Sequence, residues 1–167
     1  MSFIGVITEK KNVSYMKKVL YQNLAQQKHT IIFITENNIE NIKNIKFETL
    51  VITRKFNHPM GLKKLLKGTT FLIINYDLEN EIEILQDMKL TVITYGFNLK
   101  SSITISSLEE DNILICIQRA MKDIKEQTIE PQELDLVINT IPLEKNVYDI
   151  MGIIIVLLIY GKRSILF

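Results

Sequence analysis

Two apolar runs stop abruptly on residues able to do chemistry: FLIINYDLEN at residues 71–80 and TVITYGFN at residues 91–98. Asn75 and Asp77 end the first; Tyr95, Gly96 and Asn98 end the second. A β-type run that breaks off on polar side chains is how a parallel strand delivers groups to the rim of an α/β sheet, where ligands bind. At such a rim Asp77 fits a nucleotide contact or, equally, a carboxylate capping the next helix. Gly96 fits a turn that needs positive φ.

The remaining candidates read as structural. His58, before Pro59, is a metal-ligand type with no second ligand at matching spacing, and a surface turn histidine is the plainer reading. His29 follows Gln26, Gln27 and Lys28 and reads as solvated. Cys116 lies in the apolar run ILICIQ and reads as a small core residue, since no histidine follows it to make a thiolate. Glu109, Glu110 and Asp111 form an acidic hairpin tip without the burial that shifts a catalytic carboxylate. No catalytic residue and no metal ligand is assigned.

Periodicity supplies the elements that position these groups. Strands are expected at residues 3–8, 30–35, 49–53, 70–76 and 90–95, with helices at 13–24, 59–67 and 78–88 between them. The second helix starts on Pro59, which suits a first turn. The third turns Leu78, Ile82, Leu85 and Met88 to one face and carboxylates elsewhere. Three further strands, at 102–107, 112–119 and 133–139, have no long helix between them and are expected to pair antiparallel. Residues 146–160 form a closing helix that is apolar almost all round, hence buried, and Gly161 stops it. The fold class is α/β: a mostly parallel sheet flanked by helices, a small antiparallel sheet and a closing buried helix, in one domain over residues 1–167.

Charge is uneven along the chain. Residues 1–75 carry a net +8 and residues 76–167 a net −7, within an overall +1. Two halves that neutralise each other are the expected reading, because no aromatic residues interleave with the lysines as a nucleic-acid platform requires. Cys116 is the single cysteine, so no internal disulfide forms and a reducing cytoplasm is expected. No secretory leader precedes FIGVIT. The apolar run at 150–160 gives about 16 Å of helix against a hydrocarbon core of roughly 30 Å, so a buried core helix is expected rather than a membrane span.

Five phrases in order, Ile4-Gly5-Val6, His58-Pro59, Asn75-Tyr76-Asp77, Val92-Ile93-Thr94-Tyr95-Gly96 and Asn146-Val147-Tyr148-Asp149, resemble the central, ATP-binding domain of the Mur ligases. That family opens on a phosphate loop reading roughly I-G-V-T-G-T-N-G-K-T-T and closes on an H-N-x-x-N-A-x-A helix. The resemblance implies a nucleotide site at Lys10, Lys11, Asn12, Asn75, Asp77 and Asn146, with Asn146 fitting an adenine contact or a plain helix N-cap. It also implies that Glu36 and His58 stand where the family serves its metal.

The departures fall on the loop. Thr8 and Lys11 replace its two glycines, Asn12 its lysine and Val13 its metal-binding hydroxyl, while Glu9 adds a negative charge. A phosphate loop needs bare backbone N–H groups, a lysine on the β/γ oxygens and a hydroxyl on Mg²⁺. Lys10 and Lys11 offer flexible point charges only. The expectation is a non-catalytic, cytoplasmic relative that needs no cofactor and acts as a binding or regulatory module near cell-wall (peptidoglycan) synthesis, with a protein partner or as a homo-oligomer. The alternative is an ATP- and Mg-binding ligase subunit completed by other chains.

Overall fold

Isoleucine- and leucine-rich runs become strands because branched side chains fit a pleated, buried surface. A computed structural model describes residues 2–25, 28–78, 85, 88–109, 111–138, 147–162, 164, 165 and 167. In chain order the elements are β1 (Ser2–Ile7), α1 (Val13–Leu24), β2 (His29–Ile34), β3 (Thr49–Ile52), α2 (Pro59–Leu66), β4 (Phe71–Asn75), β5 (Thr91–Tyr95), β6 (Ile103–Leu108), β7 (Asn112–Ile117), β8 (Met121–Lys122), β9 (Thr128–Ile129), β10 (Gln132–Val137) and α3 (Val147–Ile159).

Eight strands form one mixed sheet in the order β10-β7-β6-β5-β4-β3-β1-β2. β1 through β5 are parallel, and β4 is buried at all five residues, as a strand covered on both faces must be. The chain leaves β1 for β2 on one side and returns to β3 on the other, so the strand order reverses between β1 and β3. The carboxyl ends of those two strands are where such sheets open a crevice.

Alternate residues feed two cores. Ile4, Val6, Val51, Ile73, Ile93 and Tyr95 face α1 and α3, while Ile7, Leu50, Ile52, Leu72 and Ile74 face α2. α3 is buried from Asp149 through Ile159, and each of its isoleucines and leucines contributes about 1.5–3 kcal/mol by leaving water. Gly152 lets it lie close: a Cβ there would stand 3.1 Å from Thr53 Cγ2 and 3.2 Å from Val51 Cγ1. Gly161, at φ +80°, ends the helix as expected. Among the described residues no helix is long and apolar enough to cross a membrane.

The three late strands do pair antiparallel, but they extend the main sheet. β6 joins β5 in parallel through the single pair Tyr95 and Ile103, so it starts where β5 ends and carries β7 and β10 beyond the parallel rim. The separate antiparallel sheet is β8 with β9, strands of two residues each that are too short to leave a periodic signal. Asp123 organises their turn by accepting the N–H groups of Lys125 at 2.8 Å and Gln127 at 2.9 Å. The helix expected over 78–88 lies largely outside the described residues. Its Leu78, Leu85 and Met88 pack, partly buried, on the α2-side core.

Candidate functional site

Between the carboxyl ends of β1 and β3 lies the side chain of Asp149, from the first turn of α3. It is 1% exposed. Oδ1 accepts the Thr8 hydroxyl at 3.1 Å and Oδ2 accepts the Asn12 amide at 2.6 Å. Thr53, whose hydroxyl donates to the Ile7 carbonyl at 3.1 Å, and the Tyr15 phenol lie near enough to interact electrostatically with the same carboxylate. Four polar side chains from β1, α1 and β3 thus converge on one carboxylate supplied by α3.

The electrostatics follow from this burial. Loss of water pushes the Asp149 carboxyl above the usual carboxylate range, the hydrogen bonds from Thr53, Thr8 and Asn12 pull it back, and the charge on Glu9 adds to the rise. Burial likewise pushes the Tyr95 phenol well up, and burial with the nearby Asp149 charge does the same to Tyr15. Among the described residues no lysine or arginine pairs with Asp149: Lys11 and Arg54 both meet Glu9, at 2.8 and 3.1 Å.

The backbone here is closed. β1 passes through Thr8 and Glu9 into a 3-10 turn at Lys10–Asn12 and directly into α1. Glu9 is extended, Asn12 is right-handed, and no residue from 8 to 13 has positive φ. An anion-holding nest needs alternating right- and left-handed residues that turn successive N–H groups inward. At this junction the Asp149 carboxylate presents its oxygens to the Thr8 and Asn12 side chains.

At the neighbouring rim the two phrases that opened the sequence reading do meet. Asp77 reaches across from β4 to the segment after β5, accepting the N–H of Phe97 at 2.7 Å and of Asn98 at 3.1 Å, and it accepts the Tyr148 hydroxyl of α3 at 3.1 Å. Asn75 accepts the Asp77 N–H at 2.9 Å, and its own buried Nδ2 has no partner among the described residues. Gly96 is required there: at φ +147°, a Cβ would stand 2.6 Å from Asp77 Oδ2. Burial, then the Asp77 charge, raises the Tyr148 phenol. Asp77 therefore positions a loop and a helix. The residues it would cap, like Asn146, lie outside the described residues.

Of the expected site residues, Asn75 and Asp77 share this rim, Asn12 belongs instead to the Asp149 cluster, and Lys10 and Lys11 are exposed. His58 is exposed, with its ring 5.6 Å from Phe56. Glu36 accepts the Asn57 amide over a long 3.4 Å, and among the described residues no three His, Cys, Asp or Glu gather to hold a metal. His29 is only partly exposed: it sits in β2, bonds Ser2 and packs edge-on against Tyr160 with ring centres 4.6 Å apart. Its expected setting failed because the strand begins one residue earlier than the pattern suggests. Cys116 is half-buried rather than a core residue, since it lies on the more open face of β7. The two halves do contact each other, through β4 beside β5 and α3 against α1, while both Lys/Arg–carboxylate pairs among the described residues lie within the basic half.

Sequence reasoning missed Asp149 as the centre of the site, although a lone carboxylate inside an apolar helix was a signal, since such a group is rarely buried without partners. Comparison of the chain with protein-family models and with curated proteins gives no match.

Proposed function

We propose that this chain is a Mur-ligase-like central domain whose nucleotide chemistry has been replaced by internal structure, and that it serves in the cytoplasm as a non-catalytic binding or regulatory module. One observation carries the reading: the Asp149 carboxylate accepts the Thr8 and Asn12 side chains at the β1–α1 junction, where the family closes backbone amides on phosphate. A second anion brought there would meet a buried carboxylate and the nearby Glu9. The five ordered phrases of the sequence support the lineage, and the setting in peptidoglycan synthesis rests on that lineage alone. A protein partner or a second copy would dock on the rim around Asp77, where Phe97 is 51% and Leu99 81% exposed.

Calorimetry with Mg-ATP tests this. The expected result is no saturable binding up to millimolar nucleotide and no phosphate release above the blank. Micromolar binding that weakens when Lys10 and Lys11 are changed to Ala would instead favour an ATP-binding subunit, and hydrolysis lost in Lys11→Ala would overturn the non-catalytic reading.

A further inference from the structure

The sheet face away from α3 carries a feature unconnected with the Asp149 site. The segment from β2 to β3 runs beside α2, and between them lies an open groove of about 1210 Å³. Gly61 allows the close approach that shapes it, because a Cβ there would stand 2.6 Å from Ile39 Cδ1. Ile42, Ile45 and Met60 give the groove an apolar lining, and Met60 is 72% exposed. Lys43 and Lys46 line it from one side, Lys64 and Lys67 from the other, and Glu40 is the one carboxylate among its lining residues. None of the four lysines forms an ion pair among the described residues. The Lys46 stem crosses to within 3.5 Å of where a Gly68 Cβ would stand, so the positive charge spans the end of the groove.

We propose that this groove docks an acidic, amphipathic segment of a partner protein. Apolar side chains of the segment lie on Ile42, Ile45 and Met60, and its carboxylates face the four lysines. Charge complementarity names the sign of the ligand, and the exposed Met60 beside the partly buried Ile42 and Ile45 names its amphipathic character. The volume exceeds the 300–1,000 Å³ usual for small-molecule sites, which favours a chain segment. A nucleic acid fits less well because the lining holds no Phe, Tyr or Trp on which bases could stack. An unbranched, flexible methionine adapts to apolar partners of differing shape.

The test uses the full chain and a short fluorescein-labelled peptide with Leu at helical spacing and Glu elsewhere. Anisotropy should saturate, and binding should weaken with added salt. Lys43→Glu with Lys64→Glu should weaken it at least roughly tenfold, and Met60→Ser should weaken it also, with circular dichroism unchanged in both variants. The proposal is overturned by any of three results: no saturable binding, binding indifferent to the charge reversal, or equal binding of a peptide with Ser at every Leu position. Concentration-dependent self-association abolished by Met60→Ser would also overturn it, by making a second copy the occupant.

Discussion

Around Asp149, polar side chains from β1, α1, β3 and α3 turn toward one another, whereas the lysines beside α2 are exposed and form no ion pair among the described residues. Both regions flank the same parallel strands, and both are where a charged ligand could in principle be held. The difference lies in what a substitution would expose. At the closed site the Thr8 and Asn12 donors depend on one internal acceptor, so the chain's own stability is at stake. At the open groove no described carboxylate pairs with the charges, which leaves them available to a partner. Stability and binding are thus divided between the two faces of the sheet.

Breaking the closed site should give the largest effect. Asp149→Ala leaves the buried Asn12 amide and Thr8 hydroxyl without their acceptor, and each buried polar group left unsatisfied costs about 1–3 kcal/mol. Urea unfolding should show the midpoint falling with little change in slope. An unchanged midpoint would mean that water replaces the carboxylate and that the site is more open than its packing indicates.

Gly96→Ala should come next. The glycine sits at φ +147°, and an added Cβ would collide with the Asp77 carboxylate that orders residues 97 and 98. Backbone strain and loss of those hydrogen bonds together cost about 2–3 kcal/mol. Faster amide exchange at Phe97 and Asn98 should accompany the loss, confined to the rim. Exchange spreading into β1 would instead tie the two rim clusters into one unit.

A pH series on the parent and Asp149→Asn isolates a smaller term. Burial raises the Asp149 carboxyl above its ordinary 3.8, so between that value and the raised one the folded state binds more protons than the unfolded. Stability of the parent relative to the amide variant should therefore fall as pH rises through this window and level off above it. A difference that rises with pH would show that the hydrogen bonds from Thr53, Thr8 and Asn12 outweigh burial.

How much of this the sequence disclosed depended on whether the signal was local. β3 and β4 were legible because TLVI and FLIIN are buried runs bounded by turns, and α3 because its apolar residues leave no polar face. β8 and β9 were not, since two residues cannot display a period. Asn75, Asp77 and the segment at Gly96 could be placed at one rim because strand ends in a parallel sheet share an edge. The partners of Asp149 could not be named, because Thr8 and Asn12 lie 141 and 137 positions away along the chain. The groove was hidden for the same reason: Lys43 and Lys46 meet Lys64 and Lys67 only once the β2–β3 segment lies beside α2.

The groove lysines should give the smallest effect on folding, and that is what makes them informative. Lys43, Lys46, Lys64 and Lys67 are exposed and unpaired among the described residues, so reversing Lys43 and Lys64 to Glu removes no ion pair among those residues. Like-charge crowding among four lysines is relieved, while reversal sets Lys64→Glu near the carboxyl end of α2, where the helix dipole favours cations. These opposed terms are each a few tenths of a kcal/mol, and surface changes of this kind stay within about 0.5 kcal/mol. Urea midpoints of parent and double variant should therefore coincide. A clear destabilisation would show that the lysines hold the β2–β3 segment against α2, and the division of labour between the two faces would fail.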